Sequence, residues 1–290
     1  MNTTIHSTNL TSVNYKLIIP ISMCCALISV IISSGILLLV YSTRRLHTTT
    51  HTLVCNTCLT SIFYSLVQNI NYIYLIFISW DTSDLSCRFR AYFSYMSIAS
   101  VIYSYLLQAL SRLFFSKYHT QHRWVLSFRT HYQMIFIQWL FVMSIPLSTL
   151  ISKDVYYRPT FLCWVPVAKL LHVVYTITAC YLIPTVLIIV VYCSIYYHVR
   201  YIERNSVHQF RKIQQKRNLE MLRNILILIS IYTCGGLSTL LYVITRIEIF
   251  YSMGIISLPV SVTIEKLVIL ILDREIRKHM KLYFDQMKKK

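Results

Sequence analysis

An all-α membrane protein, a bundle of seven transmembrane helices with a short amphipathic eighth helix, is the fold class this sequence predicts. Three observations predict it. The 290 residues are 56% hydrophobic and only 13% charged. The apolar residues gather into seven runs, at 17–41, 52–78, 87–112, 132–152, 170–197, 222–245 and 251–272. Each is long enough to cross a ~30 Å hydrocarbon core at a helical rise of ~1.5 Å per residue. Twenty of the 28 Lys and Arg residues fall in segments that follow an odd-numbered run, so charge alternates from loop to loop. Residues 1–16 then form a polar tail, 17–272 the bundle and 273–290 a basic tail. The first 16 residues carry no basic cluster, so the first span is expected to insert as an anchor, without a cleaved signal peptide.

Positive-inside bias places the amino terminus outside the plasma membrane and the carboxyl terminus in the cytoplasm. Much of the net charge of +18 then becomes a cytoplasmic surface facing anionic membrane lipids and an acidic partner. Nucleic acid is a poor partner, because the basic residues are divided among membrane loops. Asn2-Thr3-Thr4 and Asn9-Leu10-Thr11 are the chain's glycosylation sequons, which makes Asn2 and Asn9 candidate acceptors in the outer tail. No metal-ligand cluster and no nucleophile–base arrangement occurs within a span, so neither catalysis nor a cofactor is expected.

Seven residues stand at informative spacings: Trp80, Cys87, Arg112, Trp139, Cys163, Pro184 and Tyr192. Cys87 and Arg112 bracket one long apolar and hydroxyl run with no acid, Gly or Pro, and ~25 helical steps separate them by roughly 38 Å, so they sit at opposite membrane faces. The pattern resembles the rhodopsin-like G-protein-coupled receptors. That resemblance implies a disulfide between Cys87 and Cys163, and the compartment rule agrees, since the other seven cysteines lie within spans. It also implies a loop Trp at Trp80 and a G-protein contact at Arg112. Pro184 would loosen the fifth helix, and Tyr192 would swing toward Arg112 on activation.

Taken in order, the spans both follow and depart from that family. Span one keeps Gly35 but lacks the Asn that follows it there. The loop from Arg44 to Thr50 resembles the family's short basic, threonine-rich loop, and also reads as a positive turn with helix-capping threonines. Span two has the family's inner Asn at Asn56, whereas its sodium-binding Asp is replaced by Ser61. In span three Ser94 takes the place of the acid that anchors amine ligands. Family register makes Ser94, Tyr95, Ile98, Thr176, Cys180, Thr239 and Val243 candidate ligand-pocket residues, suited to a neutral or weakly polar ligand or a peptide. Ser94 and Tyr95 can equally hydrogen-bond neighbouring helices. Arg112 stands between Ser111 and Leu113, so the acid that restrains it in the family is missing; Glu220 is a candidate substitute, and raised basal activity is expected. An inner-end Arg snorkelling to lipid phosphate is the competing reading.

Span four carries Trp139 and Pro146. The loop from Lys153 to Lys169, tied through Cys163, is expected to cover the bundle mouth. The third inner loop is basic, with 211–217 extending helices five and six. Span six departs furthest: the family's Phe, Trp and Pro become Tyr232, Gly236 and Ser238. Gly235 and Gly236 either supply a bend or permit close helix packing. In span seven Glu265, Lys266 and Ile269 replace the family's Asn, Pro and Tyr, and Pro259 sits where an opsin has its retinal-bearing lysine. Adjacent helical residues point ~100° apart, so Glu265 and Lys266 are expected to face different surroundings. Glu265 is a candidate proton or ion site that restores the acid lost at Ser61; a neutral Glu or a locally compensated pair is the alternative. Ile276, Met280, Tyr283, Phe284 and Met287 recur at helical spacing among basic residues, the pattern of an interfacial helix. The tail has no Cys, Ser or Thr, so control by palmitate or phosphate is not expected there.

The resemblance implies a receptor that passes an extracellular signal, chemosensory or peptide, to a heterotrimeric G protein. A non-signalling relative that binds ligand or another receptor without coupling is the rival reading, because the aromatic switch and the span-seven tyrosine are lost. A transporter is the third, encouraged only by the Glu265–Lys266 pair; no internal repeat supports it.

Overall fold

The computed structural model describes residues 15–78, 80–117, 127–159, 161–205, 227, 230, 231, 233–273 and 275–280. Asn2, Asn9, Glu220, Tyr232 and the segments 211–217 and 281–290 lie outside them. Six helices among the described residues are long and apolar enough to cross a membrane. They are helix α1 (Tyr15–Ser42), α2 (Thr49–Ile76), α3 (Asp84–Lys117), α4 (Phe128–Ile151), α5 (Leu170–His198, continuing to Asn205) and α7 (Glu248–Leu272). Helix α6 (Thr233–Thr245) is apolar but shorter, and covers the last part of the sixth predicted span. Residues 275–280 form a further helical segment, α8.

Helix α1 shows how the sequence selects its buried face. Ile19, Ser22, Ala26, Ser29, Ser33, Ile36 and Val40 are buried at alternating steps of three and four, whereas Leu17, Ile21, Leu27, Ile31 and Leu38 are exposed. Small hydroxyl residues in the inner stripe let α1 approach α2 and α7 closely, and the large aliphatic side chains are left for lipid. His47 ends the Arg44–Leu46 turn, and Thr48 caps α2, its hydroxyl accepting from His51 N at 3.4 Å. Helix α3, at 34 residues, packs against α2, α4 and α5, so it runs through the middle of the bundle. It reaches past the predicted limits 87–112 at both ends, because Ser83 and Ser86 join Asp81 in starting it earlier and Leu113 to Lys117 continue it.

Prolines shape three helices. Pro146 interrupts α4, which resumes for five residues at Leu147–Ile151. In α5 a wide π-type turn, Thr178–Leu182, immediately precedes Pro184. Proline has no N–H to donate and its ring presses on the preceding turn, and the widened turn absorbs both defects. In α7 Pro259 deprives the Ile255 carbonyl of its usual helical donor. That carbonyl instead accepts from Tyr72 Oη at 3.1 Å and from Ser22 Oγ at 3.3 Å, the latter proton being shared with Ile18 O at 3.0 Å, so α1 and α2 satisfy what α7 loses.

Between the two readings of Gly235 and Gly236, the structure selects close packing. A Cβ on Gly235 would collide with the Ser261 side chain, and Ser257 Oγ donates to Gly235 O at 2.7 Å, so α6 lies directly against α7. A Cβ on Gly236 would stand 2.7 Å from the Tyr181 ring of α5. The helix continues through both glycines. Two residues, Arg246 and Ile247, join α6 to α7, with Arg246 at a left-handed φ of 56°. After α7, Asp273 Oδ1 accepts from Glu275 N at 3.0 Å and Ile276 N at 3.1 Å, an N-cap that starts α8 and directs the buried Ile276 back to the core.

Candidate functional site

One end of the bundle is roofed by the loop between α4 and α5. Cys87, in the first turn of α3, is bonded to Cys163, with the two Cα atoms 5.2 Å apart. Polar contacts fasten the rest of the loop. Asp84 Oδ1 accepts from Tyr157 N at 2.8 Å, and Arg88 Nε donates to Val155 O at 3.2 Å. Val165 N donates to Tyr95 Oη at 3.1 Å, and Leu162 N to Tyr251 Oη at 2.9 Å. Asp154 meets Lys169 at 3.1 Å and His172 at 3.3 Å, and hydrogen bonds from these two hold its carboxyl below the usual range. The loop is thereby tied to α3, α5 and α7 together.

Beneath it lies a cavity of about 110 Å³ bounded by α3, α5, α6, α7 and the loop. Of the residues that register assigned to a pocket, Tyr95, Ile98, Thr176, Cys180, Thr239 and Val243 line it. Ser94 does not. It turns toward α2, where its hydroxyl accepts from Asn71 Nδ2 at 2.7 Å, since one helical step from Tyr95 rotates it out of the cavity wall. Cys180 and Tyr181 reach the cavity from the π-type turn of α5, so the local defect next to Pro184 supplies part of the wall.

Sequence reasoning missed Tyr251, Tyr242, Tyr181 and Arg158. Tyr251 is the centre of the roof: its ring lies 5.1 Å from Tyr242, 5.4 Å from Phe161 and 5.9 Å from Trp164. Proximity of Trp164 to Cys163 was a usable signal for the loop side. Nothing local in the sequence marks Arg158.

At the opposite end, Arg112 is half-buried on α3, and its charge acts on Tyr192 of α5 and on His51 of α2. The buried Tyr192 hydroxyl has no hydrogen-bond partner among the described residues. Next to Arg112, Ser111 Oγ meets His131 Nε2 of α4 at 2.9 Å. His51 Nε2 stands 3.8 Å from Asp273, so the N-cap of α8 also joins α2 at this end. Deeper, Asn56 Nδ2 donates to Gln138 Oε1 at 2.7 Å and its Oδ1 accepts from Trp139 Nε1 at 3.1 Å, fixing α2 to α4.

Between the two ends, Glu265 and Lys266 are both fully buried. The expectation that they face different surroundings does not hold: their long side chains converge, with Lys266 Nζ 2.5 Å from Glu265 Oε1 and 3.3 Å from Thr57 O of α2. The Ser61 hydroxyl is buried without a hydrogen-bond partner among the described residues. The Glu265 carboxylate therefore already faces a cation that belongs to the chain.

A family model described as 7 transmembrane receptor (rhodopsin family) matches residues 33–264. A search of curated proteins found no match.

Proposed function

From its membership of the rhodopsin family of seven-transmembrane receptors, to which a match over residues 33–264 assigns this chain, we propose that it transduces an extracellular ligand to a heterotrimeric G protein. In this reading the chain crosses the plasma membrane seven times with its amino terminus outside. The loop-roofed cavity faces the exterior, and Arg112, Tyr192 and the start of α8 face the cytoplasm and its anionic lipids. One observation carries the reading: α5 lines the cavity at its π-type turn and, farther along, holds Tyr192 within the electrostatic field of Arg112. A ligand that alters the packing around Cys180 and Tyr181 thus acts on the helix that carries Tyr192, and shifts an equilibrium between resting and open arrangements of the inner end.

Basal and stimulated nucleotide exchange on a panel of Gα subunits, in membranes with confirmed surface expression, tests this for the native chain and Arg112→Ala. Exchange above background that is lost in Arg112→Ala is the expected result. Equal exchange in both, with and without ligand, overturns coupling. The second reading, a receptor-like protein that binds ligand without signalling, is favoured by a different observation. Ile269 stands where the family has its span-seven tyrosine, and the Tyr192 hydroxyl is left unpartnered among the described residues. Its signature is ligand binding with no change in exchange. Glu265 serves as a proton or ion site only if Lys266 is displaced from it, and signalling whose sodium or pH dependence is lost in Glu265→Gln is the consequence expected of that site.

A further inference from the structure

We propose that the loop-roofed cavity takes a small monocarboxylate with an apolar, ring-sized body, its carboxylate bound by Arg158. This rests on the reading of the cavity as the ligand site and adds the ligand's chemical class. Three features of the wall lead to it.

The first is charge. Arg158 is the one charged residue that lines the cavity among the described residues, and no carboxylate there pairs with it. Its guanidinium lies 5.0 Å from the centre of the Phe161 ring, and one terminal nitrogen donates to Trp164 O at 3.3 Å. These contacts hold the planar group in place and leave most of its five donors unspent. Its Nε is buried without a hydrogen-bond partner among the described residues, a deficit that a ligand acceptor would relieve. A fixed guanidinium fork matches a carboxylate in geometry and balances a single negative charge. A cationic ligand would find no counter-ion in this wall.

The second feature is the polar inventory of the remaining wall. Tyr95 and Tyr251 accept hydrogen bonds from the loop backbone, Tyr181 donates to Thr233 O at 2.7 Å, and Thr176 donates to Val173 O at 2.9 Å. These contacts hold the roof and the helices together. Of the lining hydroxyls, that of Thr239 is buried with no hydrogen-bond partner among the described residues. Most of the wall therefore offers aromatic and aliphatic surface to an apolar body.

The third feature is size. A dry cavity of ~150 Å³ holds benzene. A cavity of about 110 Å³ is on that scale, so it suits one ring or a short branched chain and excludes a peptide.

Phenylacetate, phenylacetamide and phenethylamine are probes of nearly equal shape that differ in charge. Their binding to the full chain in lipid nanodiscs is measured by saturation-transfer NMR, with empty nanodiscs as the blank. Phenylacetate is expected to bind at least tenfold more tightly than either analogue. Arg158→Gln is expected to reduce phenylacetate affinity to the level of the amide, Arg158→Lys to retain part of the preference, and Leu240→Trp, which fills the cavity, to abolish binding of all three. Equal binding of phenylacetate and phenylacetamide to the native chain overturns the proposal without recourse to any variant. So does a carboxylate preference that survives Arg158→Gln, and so does binding of none of the three. Nucleotide exchange separates this from the signalling reading. Selective phenylacetate binding together with exchange that is equal in the native chain and Arg112→Ala supports the ligand class and defeats coupling. Exchange that depends on Arg112 with no carboxylate preference overturns the ligand class alone.

Discussion

Glu265 and Lys266 each stabilise the other's burial, and the consequence is an asymmetry between single and double replacement. Removing one partner leaves an uncompensated charge among apolar helices, whereas removing both leaves a site that hydrocarbon can fill. Glu265→Leu or Lys266→Met alone is expected to lower stability by about 3–5 kcal/mol. The double variant is expected to lie within about 1 kcal/mol of the native chain or above it. Thermal unfolding of the four proteins in one detergent checks this, and additive losses would show that the two side chains do not interact. At this scale the sequence was informative about chemistry and silent about direction. Two charges in a span announced an unusual site, but helical phase alone suggested divergence. Two long, flexible side chains overrode the ~100° between their Cα–Cβ bonds.

Helix α7 can retain Pro259 because other helices supply the donors that its own backbone lacks. Ser22→Ala and Tyr72→Phe each remove one hydrogen bond to the Ile255 carbonyl. Either alone is expected to cost about 0.5–1.5 kcal/mol, since the remaining hydroxyl still serves the acceptor. The pair together should cost more than the sum, because the last loss leaves a buried carbonyl unsatisfied. Melting temperatures of the two single variants and the double variant measure the coupling, and strict additivity would contradict it. The helix itself was legible, because a proline inside an apolar run stands out at once. Its compensation was not, since Ser22 and Tyr72 lie 233 and 183 residues from Ile255 in the chain. The glycine pair shows the same division. Gly235-Gly236 announced that something close or bent occurs in span six, and only the positions of Ser261 and Tyr181 decided which.

For the whole molecule, the disulfide, the loop and the central helix form one unit. Cys87 and Cys163 are separated by 76 residues, so their bond closes a large loop of the unfolded chain as well as fixing the roof of the cavity. Cys163→Ser is expected to reduce stability by about 2–5 kcal/mol and to weaken binding of a cavity ligand. Thermal unfolding together with the NMR binding measurement checks both, and unaltered binding would show that the polar contacts to Tyr95 and Tyr251 suffice to hold the roof. This architecture was legible in outline. Apolar run length, the alternation of basic loops and the Cys87–Arg112 spacing all report on how a chain meets a bilayer, a constraint that acts locally on every span.

By itself the sequence determined that the chain is a helical membrane protein, where most of its helices lie, and which family it resembles. These properties follow from short-range periodicity and from residue spacing along single helices. The tertiary structure decided which side chains meet: that Ser94 serves α2 and not the cavity, that Lys266 answers Glu265, and that Arg158 joins Tyr251 and Thr239 in one wall. Those outcomes depend on helix rotation and on the path of a loop, which are set by packing between segments far apart in the chain. No local pattern encodes them, because a rotation of one residue on a helix turns a side chain by ~100° without altering the apolar run that carries it.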